Sequence, residues 1–305
     1  MKFSTAICLL LLAASSQNAA AQNRFQEFLA PSDTLDISRR NTVAISETAV
    51  LGGALLGLSQ LWYKDYKKSE FHVKNDNASW LQIDKAGHAY SSYHIGRFSS
   101  EALGWSGVSK KSQLIYGSAL GFVFLSAVEV MDGYSAEWGF SWGDVAANAS
   151  GTALYVSQEL LWKEQRIVPK FSFHQTPYAG ARPEVLGKSL SEEILKDYNG
   201  QTYWLSANIH SFFKDSKIPA WVNVAVGYGA EGMITADDAL VNTIFLPEKK
   251  RTRQFYLSLD VDLTKIKTGN HFLKTFFSVF NAIKIPAPAL EFKQSGGLKG
   301  HLLYF

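Results

Sequence analysis

The stretch R253-Q-F-Y-L-S-L-D-V-D-L263 alternates apolar and polar side chains without a break. Phe255, Leu257, Leu259, Val261 and Leu263 fall on one side, and Gln254, Ser258, Asp260 and Asp262 on the other. Successive side chains of an extended chain point to opposite faces, so this spacing predicts a strand with one apolar and one wet face. The same period of two runs through Tyr203 to His210 and through Val222, Val224, Val226 and Tyr228. The glycine-rich 227–232, GYGAEG, belongs to that strand pattern and leads into no helix, so it is no phosphate-binding loop. The chain closes on HLLYF, with Phe305 as its last residue, like the final strand of an outer-membrane barrel. Four or five strands are legible, whereas a closed single-chain barrel needs about eight. The expectation is therefore a small antiparallel sheet packed on helices, with a barrel assembled between several chains as the alternative. Between the strands, Phe272, Leu273, Phe276, Phe277, Phe280 and Ile283 form a helical stripe in Asn270 to Ile285, facing either the core or a membrane interface.

Upstream of Trp162 the period is helical. Thr42 to Trp62 and Gln113 to Met131 are apolar runs of 21 and 19 residues with one acidic residue each, Glu47 and Glu129. Val145 to Trp162 is similar, and all three are long enough to span a bilayer. Ala86 to Gly104 differs. It carries His88, His94, Arg97 and Glu101, too many polar groups for a lipid-facing helix, and is expected to be shielded by the others. Gly52-Gly53 and the small residues of Ala146 to Gly151 would permit close helix approach. The organisation read from this is α+β: a polar leader over 23–40, an N-terminal bundle of about four apolar helices over 41–165, and a connecting segment over 166–200. A β-rich C-terminal region with one amphipathic helix follows over 201–305. The connection is expected to hold a short helix, Leu190 to Tyr198, begun by Ser189 or Ser191.

The first 22 residues, MKFSTAICLLLLAASSQNAAAQ, read as a secretory signal peptide. Lys2 gives the positive start, Ile7 to Ala14 the apolar core and Ala19-Ala20-Ala21 the cleavage region. Cys8 lies inside that core, where a lipoprotein cysteine would follow it, so the mature chain is expected to have no cysteine, no disulfide and no thiol chemistry. The formal charge of +3, without a basic cluster, excludes nucleic acid as a partner. Thirteen per cent aromatic residues beside an export signal point to a membrane-associated envelope protein with membrane or lipid as partner.

Three polar groups interrupt the apolar helices: Asp84-Lys85-x-x-His88, Glu129-x-x-Asp132-Gly133, and Asp144-x-x-x-Asn148-x-x-Gly151, the last continuing to Tyr155 and Gln158. Residues three and four apart share a helix face, and acids with a histidine on facing helices are the ingredients of acid–base pairs and of bundle metal sites. Structural roles stand beside these. Asp84 is placed as an N-cap, Ser141-x-x-Asp144 as a capping box, Asp132-Gly133 as a helix stop, and His88 as a core histidine bonded to a carbonyl. Glu129 follows the apolar LGFVFLSAV, where an unpaired carboxylate costs several kcal/mol, so it needs a partner: Lys85 or His88. A metal site built from His88, Glu129, Asp132 and Asp144 is conceivable, since an oxygen-rich site with one imidazole suits several divalent ions. No HExxH or similar spacing marks one, however, and the cofactor stays unknown. No G-x-S-x-G accompanies Ser91 and Ser92.

The order DK-x-x-H, E-x-x-D-G, S-x-x-D-x-x-x-N-x-x-G resembles the uncharacterised family of predicted periplasmic lipoproteins typified by YfiM and, more distantly, is similar to VanZ-like membrane proteins. The resemblance covers roughly residues 40 to 165 and singles out Asp84, Lys85, His88, Glu129, Asp132, Asp144, Asn148 and Gly151. It implies an envelope address and a helical bundle, with no assigned reaction. The family's lipoprotein cysteine is missing here, and Asp132 stands where VanZ-like proteins more often carry glutamine. The functional expectation is an exported envelope protein that binds lipid or supports envelope assembly, its polar residues forming a buried network. The alternative is a hydrolase or transferase on a lipid-linked envelope substrate. There His88 would be base or ligand, Glu129 and Asp144 acids or ligands, and Lys85 a charge stabiliser.

Overall fold

A computed structural model describes residues 24–64, 66–236 and 250–305. The signal-peptide reading of residues 1–22, Cys8 included, lies outside the described residues. Helix α1 (Ile37–Leu58) begins at Asp36, whose carboxylate accepts from Arg39 N at 3.0 Å. Helix α2 (Ile83–Trp105) follows, then a π-helical turn over Gln113–Gly117 that runs into α3 (Ser118–Gly133). Helix α4 (Trp142–Leu161) starts at Ser141, whose Oγ accepts from Asp144 N at 3.1 Å. The Ser141 cap and the stop at Gly133 are as expected, but the capping box is only half made, since Ser141 N–H donates to Glu129 Oε2 and not to Asp144. Asp84 is not the cap expected of it: α2 starts one residue earlier, after Trp80, Leu81 and Gln82, all held at positive φ (48°, 49° and 66°).

Helix α2 runs through the centre, against α3 and α4 on one side and β-strands on the other. Glycine makes this possible. A Cβ at Gly121 of α3 would lie 2.1 Å from Ser92 O, and one at Gly151 of α4 would lie 2.0 Å from Ala89 O, so only glycine admits the α2 backbone at these crossings. Gly52 and Gly53 do not play this part. Nothing lies within 4 Å of a Cβ at either, because α1 is peripheral, with Val43 buried and Ile45, Val50 and Leu56 exposed. Two of the polar side chains of α2 are shielded as expected, His94 Nε2 donating to Pro169 O at 2.7 Å and Arg97 to Ser278 O at 2.8 Å, whereas Glu101 is exposed. Two helical stretches among the described residues are long and apolar enough to cross a membrane, Ile37–Leu58 and Lys110–Gly133.

Six strands form one antiparallel sheet in sequence order: β1 (Ile167–Phe173), β2 (Gln201–Asn208), β3 (Val222–Glu231), β4 (Thr252–Val261), β5 (Ala287–Lys293) and β6 (Leu298–Tyr304). Strand β1 lies in the segment read as a connection. Its Pro169 and lack of clean alternation hide it, and proline is tolerated there because β1 is the first strand of the sheet. The expected short helix is present as α5 (Leu190–Lys196), capped by Ser189. The sheet curls strongly. Thr202 of β2 and Tyr304 of β6 meet through their hydroxyls at 3.2 Å. The outer side of β1 is taken by the chain before β5, with Phe171 N donating to Ala282 O and Lys284 N donating to Phe171 O.

The two faces of the sheet are the reverse of a soluble one. The alternation expected at 253–263 is present, but its polar side is the buried side. Gln254, Ser258 and Asp260 are enclosed with Ser206, Asn208, Asn223, Glu291 and Lys170, around the rings of Trp204, Tyr256 and Tyr304. Leu205, Val226, Phe255, Leu257, Leu259, Leu290 and Phe292 are exposed. At the interior, Lys170 Nζ lies 2.8 Å from Asp260 Oδ2, both side chains 0 % exposed, and Lys284 Nζ lies 3.8 Å from Asp260 Oδ1. Helix α6 (His271–Phe280), capped by Asn270, buries no residue and exposes Phe272, Leu273, Phe276, Val279 and Phe280. Of its two expected orientations, the outward one is observed.

Candidate functional site

The start of α2, the end of α3 and the start of α4 meet at one end of the bundle, because consecutive helices alternate in direction. Asp84, Glu129 and Asp144 therefore arrive together from three separate stretches of sequence. The unusual entry into α2 fixes their approach. Three consecutive left-handed non-glycine residues are costly, each by about 1–2 kcal/mol, and their surroundings hold them. Tyr228 donates to Leu81 O, Gln82 Nε2 donates to Asn77 O at 2.7 Å, and Gln82 Oε1 accepts from Arg253 at 2.7 Å. Strained backbone of this kind concentrates at functional sites.

Lys85 is the cationic hub. Its Nζ lies 2.8 Å from both carboxylate oxygens of Asp144, 2.8 Å from Asp76 Oδ2 and 3.4 Å from Asp84 Oδ2. Asp76 comes from the loop above the helix ends and also accepts from Ser141 Oγ at 2.5 Å. Burial alone would raise its pKa, but the Lys85 ammonium and the Ser141 hydroxyl prevail and hold it below its ordinary 3.8. Ser141 thus performs three tasks: its Oγ caps α4 and binds Asp76, and its backbone N–H donates to Glu129 Oε2 at 3.2 Å.

His88 sits between the acids. Its Nδ1 lies 2.9 Å from Asn148 Oδ1, and an amide oxygen only accepts, so Nδ1 carries a proton. Its Nε2 is 3.6 Å from Glu129 Oε1 and 3.8 Å from both Asp84 Oδ1 and Asp144 Oδ1. The expected carbonyl partner is thus an amide side chain, and of the two partners foreseen for Glu129 it is His88 that stands opposite it. Glu129 is 1 % exposed, and its Oε1 accepts no hydrogen bond. Asp132, one turn beyond Glu129, accepts from Tyr63 at 2.6 Å, and Asp84 accepts from Tyr198 at 2.9 Å.

The structure therefore brings Asp84, Lys85, His88, Glu129, Asp144 and Asn148 into one cluster with Asp132 at its margin. Gly151 is a helix contact. Tyr155 and Gln158 stand at the far end of α4, where Gln158 Oε1 accepts from Arg166 N and Ile167 N and starts β1. Ser92 is fully buried and donates to Asn148 O at 2.7 Å. Sequence reasoning missed Asp76, Tyr63 and Tyr198. Asp76 and Tyr198 lie outside the apolar helices and Tyr63 ends the π-helical turn that extends α1, and only the fold brings them to the cluster.

No curated protein and no solved structure matches the chain. Residues 73–159, less than half of the chain but enough to include every member of the cluster except Tyr63 and Tyr198, match the model of a family described as predicted periplasmic lipoprotein (DUF2279), which fits an exported envelope protein of unknown activity.

Proposed function

We propose that the protein is a lipid-embedded component of the cell envelope that supports envelope assembly, with the DKxxH, ExxD and DxxxN residues as a polar site at one end of its bundle. The observation that carries this reading is the reversed sheet. A sheet in water buries its apolar face, whereas one in lipid turns its apolar side outward and its polar side inward. Strands β3 and β4 have 10 residues each, within the 9–11 or so that a tilted strand needs to cross the hydrocarbon layer. Helices α1 and α6 also expose apolar side chains, as do Ile115, Tyr116, Val123 and Val130. Such an extent of apolar surface marks contact with a non-aqueous phase. The YfiM-like and VanZ-like resemblance, and an outer-membrane address, accord with this reading. The test is extraction of cell membranes at alkaline pH. An embedded chain stays with the lipid, and release into the supernatant would overturn the proposal.

A second reading is favoured by the open edge of the cluster, where the side chains of Asp84, Lys85 and His88 are 21, 14 and 15 % exposed. In it the protein is a hydrolase or transferase on a lipid-linked envelope substrate, with His88 as base and Lys85 stabilising developing negative charge. Turnover of such a substrate by the wild type, lost in a folded His88→Gln variant, would establish it.

A further inference from the structure

We propose that Asp84, His88, Glu129 and Asp144 bind one divalent transition-metal ion through His88 Nε2 and one oxygen of each carboxylate. Five carboxylates, those of Asp76, Asp84, Glu129, Asp132 and Asp144, share this end of the bundle with one lysine, and three of them contact it. Lys85 is already engaged by Asp76, Asp84 and Asp144, and Asp132 by Tyr63. What remains is a buried carboxylate oxygen without a hydrogen bond, Glu129 Oε1, facing an imidazole nitrogen.

The distances around His88 Nε2 leave room for a shared ion. A proton on His88 Nε2 would draw one carboxylate to hydrogen-bonding range, about 2.7–2.9 Å. Instead Nε2 stands 3.6, 3.8 and 3.8 Å from three different oxygens, too far for a hydrogen bond to any and nearly equal for all. Ligands held about 2.0–2.2 Å from a shared tetrahedral ion are separated from one another by about 3.3–3.6 Å. The nitrogen and oxygens of Asp84, His88 and Asp144 lie mutually within 4.8 Å, and Glu129 joins them through the 3.6 Å approach of its Oε1 to His88 Nε2, so the four groups must draw inward to close a first shell. The second shell is in place. Asn148 accepts from His88 Nδ1 and so leaves Nε2 free as a ligand, Tyr198 donates to Asp84, Ser141 N–H donates to Glu129, and Lys85 donates to Asp144. This is the outer-shell arrangement that orients metal-bound histidines and carboxylates. One imidazole with three carboxylates suits Zn²⁺, Mn²⁺ or Fe²⁺ better than Ca²⁺ or a thiolate-seeking ion. The site stands whether or not the sheet meets lipid, because every ligand is on the helices.

The test uses the full chain in detergent, stripped with a chelator and titrated separately with Zn²⁺, Mn²⁺ and Mg²⁺. Metal content per chain and the thermal midpoint are both read. One equivalent of Zn²⁺ or Mn²⁺ with a raised midpoint is expected, and Glu129→Gln and His88→Gln each abolish both. Asn148→Ala, which frees the His88 ring, weakens binding about 10–100-fold. The midpoints of the stripped variants show which of them fold, and a folded His88→Gln suffices if Glu129→Gln does not fold. Absence of stoichiometric binding by all three ions would overturn the proposal, as would binding unchanged in a folded ligand variant. So would a histidine nitrogen spectrum showing both His88 nitrogens protonated with metal present.

Discussion

At the scale of single residues, Ser141 and Asp76 tie the loops to the helix ends. Ser141 Oγ both caps α4 and donates to Asp76, so Ser141→Ala loses a cap and a charge-assisted hydrogen bond together. Loss of a cap costs about 1 kcal/mol and up to about 2, and the upper figure is expected here, read as a lower midpoint in thermal unfolding. Asp76 makes a pH-dependent contribution whose sign follows from its lowered pKa. Its stabilisation is complete above its ordinary 3.8 and is lost as pH falls through the lower folded value. The midpoint difference between wild type and Asp76→Asn is therefore expected to be constant from neutral pH down to that range and to shrink below it. A difference that grows on acidification would contradict the Lys85–Asp76 assignment. The capping half of this role was legible in Ser141-x-x-Asp144, whereas Asp76 is one polar residue in a polar loop and was not singled out. The residues that were legible, Asp84, His88, Glu129 and Asp144, were so because a charge inside an apolar helix has to be accounted for wherever it lands.

At the scale of elements, the helix crossings and the sheet interior each make a sharp demand. Gly151→Val would place a branched side chain where a Cβ already lies 2.0 Å from Ala89 O. Backbone cannot yield as a side-chain tip does, so the cost is expected at or above the upper end of the roughly 1–3 kcal/mol typical of overpacking, with α4 displaced from α2. In the sheet, Asp260 offsets two buried lysines, Lys170 and Lys284, and also accepts from Ser206 at 2.6 Å. Removing one partner from a buried pair costs about 3–5 kcal/mol because an uncompensated charge is left behind. Asp260→Asn leaves two such charges and Lys170→Met leaves none that was not already paired. Asp260→Asn is therefore expected to lower the denaturant midpoint by the larger amount, and the reverse ranking would show that Asp260 is not the hub. The helices and most strands were legible from period alone, since 3.6 and 2 are distinct. Period does not say which face of a strand looks inward, because alternation is identical for a strand in water and one in lipid. Only the curl of the sheet around Trp204, Tyr256 and Tyr304 decides it.

At the scale of the whole molecule, α2 carries polar groups on several sides and is enclosed, while the outer helices and the sheet carry apolar groups outward. This is a molecule built from its polar centre to an apolar surface, with the acid-rich cluster at one end, where the helix starts and loops gather. The reversal makes a graded prediction. Leu257 stands near the middle of β4, between Val226 of β3 and Leu290 of β5, and points outward. Leu298 is equally exposed in direction but begins β6 at the rim. In lipid, an outward arginine costs about 2–4 kcal/mol at the bilayer midplane and about 0–1 near the interface. Leu257→Arg is therefore expected to impair folding into vesicles strongly, and Leu298→Arg only slightly, measured as the fraction of chain that floats with the lipid and resists protease. In water the order has no reason to hold, since both leucines are exposed and an arginine at either would improve solubility. Equal tolerance of the two substitutions would place the apolar face against something other than a bilayer.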